Sequence, residues 1–155
     1  MGRKRVGIAI YWAEKAAITP LEGVERAGKR AEQAVLRLAD SHNLSLIVIG
    51  VPLTADNEET EQGGDVTLFV DRLRRRCAVP IELRDEYLSS EEAKELLGIS
   101  GSPHRNVRES GIIDSVAACL ILQRHLLAKG HSPSMDLGTA RHEVAALLRT
   151  GRVVR

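Results

Sequence analysis

An apolar run at residues 44–50 restricts the fold of this chain more than any other segment. It reads Leu-Ser-Leu-Ile-Val-Ile-Gly, so every residue after Ser45 is apolar or glycine. A strand with apolar residues at successive positions is buried on both faces, which is typical of sheets covered by helices on both sides. The run therefore predicts a strand inside a layered α/β fold.

Strands and helices alternate around this run. Apolar stretches predict further strands at residues 6–11, 18–24 and 80–84, and Pro20 favours an edge position because proline cannot donate to a ladder. Apolar residues at helical spacing predict helices over residues 26–42, 65–77, 89–98 and 112–129, and residues 100–110 form a polar loop. This order indicates a mixed α/β layer with a hairpin on one side and crossover helices on the other.

Size and composition fit one ordinary globular domain. The chain has 155 residues, of which 43% are hydrophobic and 28% charged. With a net charge of only +1, affinity for nucleic acid has to come from local clusters of basic residues. Aromatic residues make up 3% of the chain, which argues against a platform on which single-stranded bases stack.

The cysteines and the hydropathy pattern indicate a reducing compartment. Cys77 and Cys119 fall at apolar helical positions and outside any Cys-x-x-Cys motif, which favours reduced core thiols and argues against zinc. No apolar stretch approaches the roughly 20 residues of a membrane span, and the basic N-terminus lacks a signal-peptide pattern. We expect a cytoplasmic protein with no membrane partner, or a stromal one if the source is eukaryotic.

Three acidic residues are the candidate catalytic groups. Asp85 and Glu86 close a predicted strand, and Asp114 opens the long helix at residues 112–129. Adjacent residues on a strand point to opposite faces, so only one of Asp85 and Glu86 can face a site shared with Asp114; we favour Glu86. Such carboxylates suit Mg²⁺ in the crevice beyond the strand ends. The simpler roles are a solvated strand end for Glu86 and a helix cap for Asp114.

Basic residues near this crevice are candidate phosphate contacts. They would give affinity for a nucleic-acid backbone without base specificity. Ordinary solvated charge is the alternative for each of them. The candidates are Arg3, Lys4, Arg5, Arg105 and Arg108.

Four sequence blocks, in order over residues 2–129, resemble the YqgF/RuvX family of Holliday-junction-resolvase-like nucleases. Each block alone is a weak signal, whereas four in the right order make a specific match. They are Gly2-Arg3-Lys4-Arg5-Val6-Gly7-Ile8-Ala9, then Gly50-Val51-Pro52-Leu53, then Asp85-Glu86 with Leu88-Ser89-Ser90-Glu91-Glu92-Ala93, and finally Asp114-Ser115-Val116-Ala117-Ala118-Cys119-Leu120-Ile121-Leu122-Gln123.

The resemblance implies a ribonuclease H-like mixed sheet flanked by helices and a phosphodiester-cleaving activity that depends on Mg²⁺ or Mn²⁺. The implied substrate is the 5′ end of precursor 16S rRNA, in ribosome biogenesis, or branched DNA. The implied catalytic carboxylates are Glu86 (or Asp85), Asp114 and an aspartate that would stand one residue before Met1. Glu86 and Asp114 are the implied metal ligands.

The chain departs from the family pattern at two places. Tyr87 stands where the family usually has arginine, and the family's first, central strand with its aspartate is absent from the sequence. We therefore expect a gene product that starts upstream of Met1 and is an active pre-16S rRNA nuclease. A Holliday junction resolvase would use the same residues, and a catalytically silent nucleic-acid-binding relative is the third hypothesis.

The predicted domain division follows the extent of the resemblance. Residues 1–129 would form the ribonuclease H-like domain, truncated at its N-terminal side. Residues 130–155 would be a linker and tail with room for one short helix. We expect a monomer or a homodimer.

Overall fold

The computed structural model describes residues 5–25, 29–51, 61–86, 88–103 and 105–153, without the side chains of residues 61–66 and 149–153. Strands and helices alternate through these residues. The elements are β1 (Arg5–Trp12), β2 (Ala17–Glu25), α1 (Arg30–His42), β3 (Ile47–Val51), α2 (Glu61–Arg76), β4 (Ile81–Asp85), α3 (Ser89–Leu96), α4 (Arg105–Ser110), α5 (Ile112–Ala128), β5 (Ser134–Met135) and α6 (Gly138–Val153). None of the described helices has the length and apolarity needed to cross a membrane.

The first sheet is built on a hairpin. β1 and β2 are antiparallel, with Val6 opposite Val24 and Trp12 opposite Ala17. β5 adds two parallel pairs, to Ala17 and Ile18 of β2. The prediction of an edge position for β2 is therefore wrong at its first two residues. Pro20 lies beyond the short β5 ladder, so its missing N–H does not interrupt that ladder.

The second sheet consists of β3 and β4, which run parallel from Ile47 opposite Ile81 to Val51 opposite Asp85. Ile47, Ile49 and Val51 are buried, and Val48 is half-buried. The apolar run at residues 44–50 is thus confirmed as a strand, although alternate residues of β3 are less covered than the run led us to expect.

The described residues form two sheets rather than one, with β1 at the edge of the first and β3 in the second. Each sheet has its own hydrophobic cluster. The first cluster surrounds α5 and includes Ile18, Val116 and Cys119, while the second joins β3 to α1 and α2 and includes Phe69 and Leu73. α5 packs against β1, β2, β3 and β4, so this helix connects the two halves of the molecule.

The C-terminal segment belongs to the first cluster. Leu137, Ala140 and Val144 are buried there, and the guanidinium of Arg141 donates to the carbonyl of Leu96 at 3.1 Å. Where we expected a linker and one short helix, residues 130–155 contribute a two-residue strand and a 16-residue helix.

The predicted polar loop at residues 100–110 is wrong in its second half. It contains the short helix α4, whose Val107 is 1% exposed.

Candidate active site

A groove runs between the two sheets. Its cavity volume is about 1490 Å³, and its walls are β1, β3 and one face each of α1 and α5. Both Glu86 and Asp114 line it. The two carboxylates predicted from the sequence to share a site therefore face one cavity.

Asp114 is placed by close packing between β1 and the start of α5. It is the third residue of α5. A Cβ on Gly7 would lie 2.0 Å from the carbonyl carbon of Asp114, so only glycine permits this approach. Next to it, the N–H of Ile8 donates to the hydroxyl of Ser115 at 3.2 Å. These contacts hold the first turn of α5 against the hairpin and aim Asp114 into the groove.

Glu86 is placed by backbone hydrogen bonds on both sides. Its N–H donates to the carbonyl of Val51 at 3.2 Å, and its own carbonyl accepts from the N–H of Ser89 at 3.1 Å. A Cβ on Gly50 would lie 3.2 Å from the Oε2 of Glu86, so the glycine of β3 makes room for this carboxylate. Glu86 is therefore fixed at the carboxyl end of the second sheet, where β4 meets α3.

A further set of contacts supports the turn between Glu86 and α3. The hydroxyl of Ser89, which is 1% exposed, accepts from the guanidinium of Arg124 on α5 at 3.0 Å. The same guanidinium is paired with Glu92. These bonds tie the start of α3 to α5, the helix that carries Asp114.

The surroundings of Asp114 oppose its ionisation. Burial raises the pKa of Asp114 above its ordinary value of 3.8, and the nearby Glu86 carboxylate raises it further. A group whose pKa is displaced by burial and by a like charge in a cleft is a candidate functional residue. A cation bound beside Asp114 and Glu86 would favour the ionised form of Asp114 and so oppose the shift.

Two carboxylates that line one groove would suit a magnesium-type ion. Mg²⁺ keeps several waters and is commonly held by one or two carboxylates together with substrate phosphates. Among the described residues there is no group of three or more histidine, cysteine, aspartate or glutamate side chains that could enclose a metal. If Glu86 and Asp114 held such an ion, its other coordination positions would be open to water and a substrate phosphate.

The remaining predicted site residues lie elsewhere. Asp85 is exposed and outside the groove lining, as expected for the neighbour of Glu86 on a strand. Arg5 donates to the carbonyl of Gly23 at 3.2 Å and faces a separate small cavity. Arg105 and Arg108 are exposed on α4, and Arg105 is paired with Glu109.

None of these basic residues lines the groove, and their role in phosphate contact stays a prediction. Arg3, Lys4 and Tyr87 lie outside the described residues.

Sequence reasoning missed one buried polar group on the groove wall, His125. It is 3% exposed, and its Nδ1 accepts from the Nε of Arg84 at 3.0 Å. Burial, then the charge of Arg84, lowers the pKa of His125, so it is neutral at pH 7 and its contact with Glu82 is no ion pair. The sequence spacing could have indicated its place, because His125 follows Asp114 by eleven residues, or about three helical turns. His125 therefore lies about 16 Å from Asp114 along the helix axis.

Fold and site together define a class of protein: a mixed α/β domain in which two carboxylates line one groove. The family model described as "RuvX: Holliday junction resolvase" matches residues 1–128. The chain belongs to the RuvX family, and its fold is the ribonuclease H-like fold of that family.

Curated relatives agree with this assignment. A protein of Chloroflexus aurantiacus is 33% identical over 135 residues, which cover 86% of this chain and 87% of the relative. One of Orientia tsutsugamushi is 35% identical over 133 residues, covering 86% and 83%. One of Syntrophus aciditrophicus is 36% identical over 126 residues, covering 81% and 83%. All three bear the name "Putative pre-16S rRNA nuclease".

Proposed function

We propose that this protein is a metal-dependent nuclease that processes the 5′ end of precursor 16S rRNA. The observation that carries the proposal is that Glu86 and Asp114 line one groove, close enough for the Glu86 carboxylate to raise the pKa of Asp114. Membership in the RuvX family, together with relatives named for pre-16S rRNA, supports the choice of substrate. These relatives come from bacteria, where rRNA matures in the cytoplasm, so we place the activity there.

The residues of this chain would divide the work as follows. Glu86 and Asp114 would hold Mg²⁺ or Mn²⁺ between them, with the remaining ligands from water and a substrate phosphate. When bound, the ion supplies a more acidic attacking water and neutralises charge on the leaving oxygen. The close packing of Gly7 on the backbone of Asp114 and the backbone hydrogen bonds of Glu86 hold the main chain of both residues before the substrate arrives, so little reorganisation is needed.

The test is cleavage of a short precursor 16S rRNA substrate by the purified chain, with Mg²⁺ or Mn²⁺ and under single-turnover conditions. We expect Glu86→Gln and Asp114→Asn each to reduce the rate by about 100-fold or more, because each removes a ligand of the charge-stabilising ion. Asp85→Asn is the matched control, since this neighbouring carboxylate lies outside the groove lining. It should cleave within about twofold of the unmodified chain.

Cleavage that survives both Glu86→Gln and Asp114→Asn would show that the catalytic site lies elsewhere. If Asp85→Asn and Glu86→Gln reduced the cleavage rate equally, then the position of a carboxylate inside or outside the groove would not determine whether it takes part in catalysis.

Branched DNA is the second candidate substrate, because the matching family model is described as a Holliday junction resolvase. Both substrates present the same phosphodiester to the same carboxylates, so the residues do not separate them. The two substrates are distinguished by measuring the cleavage rates of a four-way DNA junction and of the precursor rRNA at equal concentration and ionic strength. We expect faster cleavage of the rRNA, and preferential cutting of the junction would replace the proposal.

A catalytically silent nucleic-acid-binding relative is the remaining hypothesis. Tyr87, which stands where the family usually has arginine, favours it. Salt-dependent binding of both nucleic acids without cleavage in either Mg²⁺ or Mn²⁺ would support it.

A further inference from the structure

A second, smaller cavity lies between the open end of the hairpin and α1, away from the groove. Its volume is about 470 Å³, and among the described residues it shares no lining residue with the groove. Three arginines line this cavity, and we call it the arginine pocket. Its charged and polar lining residues are Arg5, Glu22, Glu25, Arg30, Gln33 and Arg37.

One wall of the arginine pocket is a polar stripe of α1. Arg30, Gln33 and Arg37 follow one another at intervals of three and four residues, so they lie on the same side of the helix. All three side chains are exposed. Glu32 lies on a different side of α1, where it pairs with Arg72 of α2. The stripe is therefore not used for packing α1 against α2.

The opposite wall is the end of the hairpin, which holds Arg5 in place. Arg5 stands opposite Glu25 in the β1–β2 ladder, and its guanidinium donates to the carbonyl of Gly23 at 3.2 Å. A Cβ on Gly111 would lie 3.5 Å from the Cβ of Arg5, so the residue before α5 packs on the arginine stem. A guanidinium has five N–H donors in a fixed fork, so the bond to Gly23 orients the others.

The charges of the arginine pocket favour a singly charged anion. Nη1 of Arg30 lies 2.6 Å from Oε2 of Glu25, and Glu22 offsets a second arginine, which leaves one excess positive charge. Arg37 makes no ion pair within the described part of the chain. A phosphodiester carries one negative charge, and its oxygens match the fork of a guanidinium. One backbone phosphate would therefore balance the charge of the pocket.

The size and lining of the arginine pocket favour a piece of backbone over a base. Its volume lies within the range of about 300–1,000 Å³ that is usual for small-ligand sites, so a phosphate and its adjoining sugars would fit. No aromatic residue is among its described lining residues, and bases bound by proteins commonly stack on aromatic rings. The expected ligand is therefore a sugar–phosphate unit, bound without regard to base sequence.

The arginine pocket borders the carboxylate site. Arg5 precedes Gly7 by two residues, or about 7 Å along β1, and Gly7 lies against the backbone of Asp114. Gly111, three residues before Asp114, packs on Gly23 of the pocket. Because a stacked nucleic-acid strand advances about 3.4 Å per nucleotide, a strand cleaved beside Asp114 would reach the pocket within a few nucleotides.

We propose that the arginine pocket binds one backbone phosphate of the nucleic-acid substrate, a few nucleotides from the phosphodiester that is cleaved. Arg5 contacts this phosphate from the hairpin, and Arg37 contacts it from α1. Both are positioning residues, because they hold the strand in register with the carboxylate site and touch no reacting atom. The choice of RNA as substrate rests on the proposed function, whereas binding of the phosphate does not require cleavage.

The first test is the affinity for a short precursor 16S rRNA strand, measured by fluorescence anisotropy in EDTA so that the strand stays intact. Arg37→Gln removes an exposed charge from the pocket, and Arg74→Gln makes the same change at an exposed position of α2. We expect Arg37→Gln to weaken binding by about tenfold and to lower the slope of log affinity against log salt by about 0.7. Arg74→Gln should stay within about twofold of the unmodified chain.

A second variant should act in the opposite direction. Glu22→Gln removes a negative charge from the pocket wall, so we expect it to strengthen binding by about threefold. Glu143→Gln, at an exposed position of α6, is its control and should leave the affinity unchanged. Opposite effects of Arg37→Gln and Glu22→Gln would not arise from loss of folding.

The bound phosphate is located with strands in which one phosphate at a time is replaced by an uncharged methylphosphonate. At the position held by the pocket, the losses from the methylphosphonate and from Arg37→Gln should not add, because both remove the same contact. At every other position the two losses should add.

The proposal is overturned if the strand does not bind, if Arg37→Gln and Arg74→Gln weaken binding equally, or if no phosphate position is coupled to Arg37. These results would leave the effects of Glu86→Gln and Asp114→Asn on cleavage unchanged. Conversely, cleavage that survives both carboxylate variants would refute the proposed catalytic site without altering the coupling between Arg37 and its phosphate.

Discussion

Asp114 sits where burial and a neighbouring carboxylate both raise its pKa, so its charge opposes folding at neutral pH. The protonated side chain contributes its full stabilisation at pH values below its pKa in the unfolded state. That contribution is lost as the pH rises through its higher pKa in the folded state. A fold would not keep such an arrangement for stability alone. The conflict between stability and charge at this position is typical of residues that act on a ligand.

The first prediction follows from the raised pKa of Asp114. Asp114→Asn should raise the melting temperature at pH 7, because it removes a charge that the folded state disfavours. The difference from the unmodified chain should shrink as the pH falls and vanish well below 3.8, the ordinary pKa of an aspartate, because Asp114 is then protonated in both states. Calorimetry or circular dichroism at several pH values measures it. A variant that is less stable at pH 7 would contradict the assigned pKa shift.

A second prediction concerns the contact that positions Asp114. Gly7→Ala should cost about 3 kcal/mol, because its Cβ would meet the backbone of α5 rather than a side chain that can move. Gly138→Ala is the matched control, since the nearest atom there lies at an ordinary 3.7 Å. Denaturant unfolding gives both values. Equal stability of the two variants would mean that β1 does not press on α5.

Residue positions were predictable from the sequence where strand alternation decides them, and not where packing decides them. Alternation predicted that only one of Asp85 and Glu86 faces the site, without deciding which, and the structure places Glu86 in the groove lining and Asp85 outside it. The position of Arg5 could not be deduced, because its guanidinium is held by the carbonyl of Gly23, eighteen residues away in the partner strand.

At the scale of elements, α1 and α2 are joined by an ion pair whose carboxylate is buried. Glu32 of α1 is 1% exposed and is paired with Arg72, while its Oε2 lies 3.9 Å from the Nη1 of Arg76. A carboxylate in this position depends on its partner, because an uncompensated buried charge is strongly destabilising.

The third prediction tests that dependence. Arg72→Met should lower stability by about 2–3 kcal/mol, since it leaves the Glu32 carboxylate buried with a distant cation. Arg74→Met, at an exposed position of the same helix, should stay within about 0.5 kcal/mol. Glu32→Leu combined with Arg72→Met should recover part of the loss. A double variant worse than Arg72→Met alone would show that the pair is not the cause.

The fourth prediction concerns the C-terminal segment. Leu137→Ala should cost about 2–4 kcal/mol because Leu137 is 5% exposed within the first cluster. Leu127→Ala, at a residue 53% exposed on α5, should cost less than about 0.5 kcal/mol. Thermal unfolding of both variants measures the contrast. Similar values would mean that residues 130–155 do not share the core.

Helices and strands with strong periodicity were predictable, whereas elements that depend on distant partners were not. The long helix α5 follows from its apolar repeat. α4 is six residues long and is held by the burial of Val107, and β5 exists only through its pairing with β2. Neither has a local signal, because short elements gain their stability from tertiary contacts.

The whole molecule consists of two hydrophobic clusters with the groove between them and α5 as the main connection. Hydrophobic burial drives folding. A groove with exposed strand edges and apolar walls leaves part of the apolar surface in contact with water. The structure contains two separate sheets in its described residues, with the edges of β1 and β3 facing one space.

The fifth prediction is low stability of residues 1–155 alone. We expect unfolding below about 60 °C, with the amides of β1 and β3 among the first to exchange. Hydrogen exchange followed along a thermal series measures both. A single cooperative unfolding transition above about 60 °C would contradict the view that the groove separates two weakly connected hydrophobic clusters.

The central claim is that Glu86 and Asp114 act on one shared ion, and Mn²⁺ affinity in a double-mutant cycle tests it most directly. Binding is measured for the unmodified chain, Glu86→Gln, Asp114→Asn, the double variant and Asp85→Asn. The claim predicts that each single change at Glu86 or Asp114 weakens binding by about tenfold or more, and that the double variant loses far less than the sum. Unchanged affinity in both single variants, or strictly additive losses, would contradict it.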